Sequence, residues 1–62
     1  MLKDKLIRLM NERDLNVNKL AAHTGMPYSS VSDWVKGKTV PKIDKLMKLA
    51  EYFGVTIEEL LA

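Results

Sequence analysis

The sequence contains no cysteine and a single histidine, His23. The missing thiols remove disulfides and thiolate metal sites as staples, and one imidazole cannot build a histidine-based metal centre. No stretch of about eighteen apolar residues occurs, so no segment suits a membrane span. No apolar leader follows the opening Met1-Leu2-Lys3-Asp4, and a cytoplasmic location is expected. The side chains present assemble no nucleophile triad, metal cluster or phosphate-cradling loop. No catalytic activity, metal, cofactor or small-molecule substrate is therefore expected.

At 62 residues the chain is one domain at most. A fold this small buries only about 60% of the surface its unfolded chain exposes, and its unaided stability is about 3–5 kcal/mol. Apolar residues make up 47% and charged residues 29%, which marks a foldable globular chain. The remaining support is a well-packed helical core or a partner chain. Net charge is only +2 but unevenly placed. Lys36, Lys38, Lys42, Lys45 and Lys48 face a single acid, Asp44, whereas residues 51–62 carry Glu51, Glu58 and Glu59 and no base. Such a gradient suits an anionic partner or, equally, a solvated helix face.

Gly25, Pro27, Gly37, Pro41 and Gly54 punctuate the chain, and helical apolar spacing fills the gaps. Leu2, Leu6, Leu9 and Met10 stripe a first helix over Leu2 to Arg13. Asn16 can cap a second, with Leu20, Ala21 and Thr24 inward and Gly25 ending it. His23 falls on its outer, solvated side. Pro27 suits the first position of a third helix running to about Lys36, in which Val31 and Trp34 face inward. Gly37 ends that helix, and Lys38 to Pro41 forms a loop with extended backbone before the proline. Ile43, Leu46, Met47, Leu49, Ala50 and Phe53 predict a fourth helix closed by Gly54. Thr56-Ile57-Glu58-Glu59 reads as a capping box opening a fifth that holds Leu60 and Leu61. Met10 and Met47 read as core or interface fillers. No segment alternates long enough to make a strand, so the expected fold is all-α, with five short helices.

Val17 to Lys36 has the layout of two helices crossing over a tight turn. Ala21 supplies the small side chain at the crossing, Gly25 the turn, and Leu20, Val31 and Trp34 the apolar underside. This is the helix-turn-helix pattern. The ordered set Leu15 to Ala21, Gly25, Ser29 to Trp34, Gly37-Lys38 and Pro41 carries a wider likeness. It continues through Leu46, Leu49-Ala50, Phe53-Gly54-Val55 and Glu59-Leu60-Leu61. Together these resemble the lambda-repressor-like DNA-binding domains, the Cro/CI family also called XRE-type regulators, over essentially the whole chain (1–62).

The resemblance implies a compact five-helix bundle and a transcriptional regulator, a repressor by preference, bound as a homodimer to a palindromic operator in double-stranded DNA. It places the helix at about 28–36 in the major groove and directs Tyr28, Ser29, Ser32 and Asp33 toward base edges. Serine hydroxyls pair with any base, Asp33 can accept from a cytosine amino group, and Tyr28 can pack on a thymine methyl. Asn16, Lys36, Lys38, Thr39 and Lys42 fall where phosphates are held. Against these roles stand plainer ones: Tyr28 as an exposed helix residue, Ser30 as a helix-start stabiliser, Trp34 as core.

Three departures from the family pattern fall at four positions. Val17 stands where many members have a glutamine that links phosphate to the recognition helix. Met10 and Val35 stand where many have a largely buried Arg–Glu pair, and joint replacement by apolar groups predicts that the two touch or nearly touch. Thr24 stands at an apolar position, its methyl free to pack and its hydroxyl to bond the carbonyl four residues back. The weakened clamp at Val17 leaves an alternative function, a protein-interaction module or antitoxin-type partner. The last helix and Leu60-Leu61 are the expected pairing region. The end at Leu61-Ala62 reads as that of the N-terminal domain of a longer repressor, monomeric in solution, with a complete small regulator as the alternative.

Overall fold

The computed structural model describes residues 1–62 as five helices and no strand. They are α1 (Leu2–Glu12), α2 (Val17–Thr24), α3 (Tyr28–Lys36), α4 (Ile43–Phe53) and α5 (Ile57–Leu61). Each contributes one side chain with no solvent exposure: Leu6, Leu20, Val31, Leu49 and Leu60 in turn. Around this centre close Leu2, Leu9, Met10, Ala21, Met26, Trp34, Leu46, Ala50 and Phe53. No charged side chain is buried. Apart from Met26, which lies in the turn between α2 and α3, the core is drawn from one side of each helix.

The helix ends follow the local chemistry. Asn16 caps α2, its side chain accepting from Lys19 N–H at 2.8 Å. Thr56 and Glu59 form the reciprocal capping box of α5, each bond 3.0 Å long. That backbone hydrogen bond holds the Glu59 carboxyl below its ordinary range. The third helix begins one residue later than expected. Pro27 is its N-cap, with ψ at 139°, and its carbonyl accepts the first bond from Val31 N–H. An extended ψ is what a cap requires, and proline's fixed φ accommodates it as readily as the first helical turn. Likewise Arg13 is the C-cap of α1 and not its last turn.

Met10 is buried and Val35 is partly buried against the same core, where α1 packs on α3. Thr24 donates to the Leu20 carbonyl at 2.7 Å, which satisfies the hydroxyl within its own helix. Leu60 is core and not free surface, so of the two leucines in the expected pairing region only Leu61 is exposed. Met47 and Ile43 are not core but exposed. The apolar stripe of α4 is wider than the arc its neighbours cover.

One long-range tie is absent from any local pattern. The Arg13 guanidinium donates to the carbonyls of Tyr52 and Phe53 at 3.1 and 2.7 Å, and lies over both rings. α4 has no basic residue in its own last turn. Arg13 supplies that cation at the negative end of the helix dipole and satisfies carbonyls the helix leaves open, a contribution of about 1 kcal/mol.

Candidate nucleic-acid interface

The packing of α2 on α3 is the most extensive between any two helices of the fold. Between them Gly25 takes φ of 71°, a left-handed geometry that a Cβ would oppose. Met26 N–H then reaches back to the Ala21 carbonyl at 3.1 Å, and the Met26 side chain drops into the core. This is the apolar contact that accompanies a glycine helix stop. The sequence pattern gives Gly25 as the stop, but Met26 as an anchor was missed. Its signal was its position immediately after that glycine.

With Val31 and Trp34 pinned inward, about 100° of rotation per residue fixes where the rest of α3 points. Ser29 and Lys36 project almost directly away from the core. Ser32 and Asp33 flank them, and Tyr28 stands at the edge of the same arc. Tyr28, Ser29 and Lys36 are exposed, and Ser32 and Asp33 are half-buried. None of the side chains of Tyr28, Ser29, Ser32 and Asp33 is hydrogen-bonded to the rest of the chain. A row of donors and acceptors is thus presented outward and unengaged.

The cations around this face are equally unspent. The one salt bridge of the fold, Arg8 to Glu12 at 4.0 Å, lies on the outer side of α1. Lys36, Lys38 and Lys42 are exposed and lie within salt-bridge distance of no carboxylate. Thr39 is also exposed. Gly37, at φ of 76°, turns the chain from α3 into this lysine loop. A Cβ there would lie 3.0 Å from the Lys3 side chain, so glycine also permits a close approach. That contact brings a further lysine, from α1, to the end of α3. Nothing in the local sequence pattern signals it.

Asn16 is exposed at the start of α2. Its carboxamide oxygen is committed to the cap, so an anion there would meet the Nδ2 amino group and the remaining N–H groups of the first turn. Val17 beside it is partly buried against the core. The residue at the usual clamp position is a packing residue. His23 is exposed, as expected, but not merely solvated. Its Nδ1 is hydrogen-bonded to the Tyr52 hydroxyl at 2.7 Å. No group of three or more His, Cys, Asp or Glu side chains is placed to hold a metal ion. No helix is long and apolar enough to cross a membrane.

Two short helices joined by a glycine turn, the second turning an unengaged polar edge outward among free lysines, define a helix-turn-helix domain. Comparison with known proteins gives the family. The Cro/C1-type HTH DNA-binding domain matches residues 5–62. The chain is 36% identical over its full length to the cryptic phage CTXphi transcriptional repressor RstR of Vibrio cholerae, covering 56% of that protein. It is 32% identical over 95% of its length to the HTH-type transcriptional activator BcrR of Enterococcus faecalis, covering 29% of it. A transcriptional regulator from Listeria innocua superposes with a TM-score of 0.87 at 33% identity, over 97% of this chain and 56% of that one. The chain belongs to the Cro/C1-type helix-turn-helix DNA-binding family. It spans about half or less of the length of the curated relatives it matches.

Proposed function

We propose that this domain reads a palindromic operator as a homodimer and regulates transcription from it, most simply as a repressor. The observation that carries this is the outward edge of α3, whose polar side chains are unengaged and whose flanking lysines are unpaired. Tyr28, Ser29, Ser32 and Asp33 face base edges. Lys36, Lys38, Thr39 and Lys42 hold phosphates on one side, and the α2 N-terminus at Asn16 holds another. Phosphate contacts give affinity and register, and base contacts give choice. One short helix reads few base pairs, too few to single out a site in a genome. Two copies about 34 Å apart, on successive turns of one groove face, double the information. A repressor then acts by occupying the site. One of the matched relatives is named a repressor and another an activator, so the direction of regulation depends on where the operator lies.

Selection of bound duplexes from a random pool tests this reading. The expected output is a two-fold repeat with half-sites about one turn apart. Repeating the selection with Ser29→Ala or Asp33→Ala should change the preferred bases within each half-site, with each lost base contact worth about 1–3 kcal/mol of discrimination. An unchanged consensus for both variants would remove α3 as the reading element.

A further inference from the structure

The loop from α3 to α4 carries one open apolar side chain among polar ones. Lys38, Thr39 and Lys42 are exposed, and Val40 stands among them at 67% exposure. Of the large apolar side chains only Met1, at 82%, is more open. The loop is held on both sides of Val40. Lys38 N–H donates to the Asp33 carbonyl at 2.9 Å, and Pro41 is buried. A residue before proline is confined to extended backbone, and a β-branched side chain has few rotamers. Val40 is therefore a stiff apolar group set outward, which loses little freedom on meeting a partner.

We infer that Val40 packs on a deoxyribose of the DNA backbone, between phosphates held by its neighbours, and that it makes the loop selective for a deoxyribose strand over a ribose one. The inference rests on the reading that α3 and the lysine loop lie against a duplex. Three observations choose the sugar. Thr39 precedes Val40 and Lys42 follows it, and both are assigned to phosphates. A nucleic-acid strand places a sugar between consecutive phosphates, so a residue flanked by two phosphate holders meets that sugar. The reach agrees: from Thr39 to Lys42 the chain extends about 10 Å at most, or about three nucleotides at 3.4 Å per step. Finally, Val40 follows the left-handed turn at Gly37 and so lies off the edge of α3 that faces the bases. The chemistry then sets the preference. The C2′ atom of deoxyribose carries only hydrogen, whereas ribose carries a hydroxyl there that is both donor and acceptor. Valine offers that hydroxyl no partner, and burying it against methyl groups is unfavourable. Phosphate contacts alone make no such distinction, because both strands carry the same phosphates.

The test scans the duplex recovered by random-pool selection with a single ribonucleotide, moved one position at a time along each strand. At each position a 2′-fluoro sugar serves as control, since it shares the ribose pucker but has no hydroxyl. The wild-type chain, Val40→Thr and Val40→Ala are titrated onto the set. Position 40 is exposed, so circular dichroism should show similar melting for all three proteins. The wild type should lose about tenfold in affinity at one or two ribose positions in a half-site and little at the same positions with 2′-fluoro. Val40→Thr keeps the shape and supplies a hydroxyl that pairs with the ribose one, and Val40→Ala withdraws the contact. Both should bind the all-deoxyribose duplex about threefold more weakly and should treat ribose and deoxyribose alike at those positions. A wild type that no single ribose weakens would overturn the sugar contact. The same pattern of ribose sensitivity in all three proteins would overturn its assignment to Val40. Equal losses with 2′-fluoro and ribose would make sugar pucker, and not the hydroxyl, the feature sensed, and would also overturn it. A wild type that fails to bind the all-deoxyribose duplex would remove the underlying DNA reading, and the sugar contact with it.

Discussion

Trp34→Ala is expected to unfold the domain. Trp34 is 95% buried and, with Val31, is the means by which α3 is held to the other helices. Truncating a buried tryptophan costs about 3–5 kcal/mol, part from lost transfer free energy and part from the cavity left behind. A domain of this size holds about 3–5 kcal/mol in total. The two magnitudes are equal, so no margin remains, and nothing covalent limits the loss because the chain has no disulfide. Helical circular dichroism and DNA binding should disappear together. Trp34→Phe keeps much of the apolar volume and should stay folded with a lowered melting temperature. A folded Trp34→Ala chain with normal melting would mean that α3 is anchored by something other than its inner stripe.

Salt should weaken binding about a thousandfold between 50 and 200 mM. Lys36, Lys38 and Lys42 pair with no acid in the fold, so their charge is available to phosphate. Two copies bring about six such lysines. Each phosphate neutralised contributes about −0.9 to the slope of log affinity against log salt, giving a slope near −5. Lys38→Ala, counted once per copy, should reduce that slope by about two and weaken every sequence alike. The measurement is a binding isotherm at four or five salt concentrations on the selected duplex and on an unrelated one. Insensitivity to salt would mean that the lysine loop is no phosphate clamp. Loss confined to one sequence would give Lys38 a base contact in place of a phosphate.

The features legible in the sequence were those written locally. Asn16, Gly25, Gly37 and the Thr56–Glu59 box act on neighbours within four or five residues, so their caps and stops could be read directly from spacing. The inward spacing of Val31 and Trp34 fixed the opposite edge of α3 by geometry alone. Pairings between distant segments were not legible. Arg13 closes α4 from about forty residues away, and no periodicity reports such a tie. The hydrogen bond between His23 and Tyr52 joins α2 to α4, which a wheel of either helix alone cannot show. Ile43 and Met47 belong to an apolar stripe in sequence yet stand in solvent. Periodicity tells which side of a helix is apolar, not how much of that side its neighbours cover. For the same reason Leu60 was expected at a surface but lies in the core.

Amide shifts of the isotopically labelled chain during titration with the selected duplex test the central claim most directly. Movement is expected at residues 28–33, in the loop 36–42 and at the start of α2 around Asn16. The His23–Tyr52 side and α5 should stay still. Perturbations gathered on α5 or around Tyr52, with residues 28–33 unmoved, would contradict it.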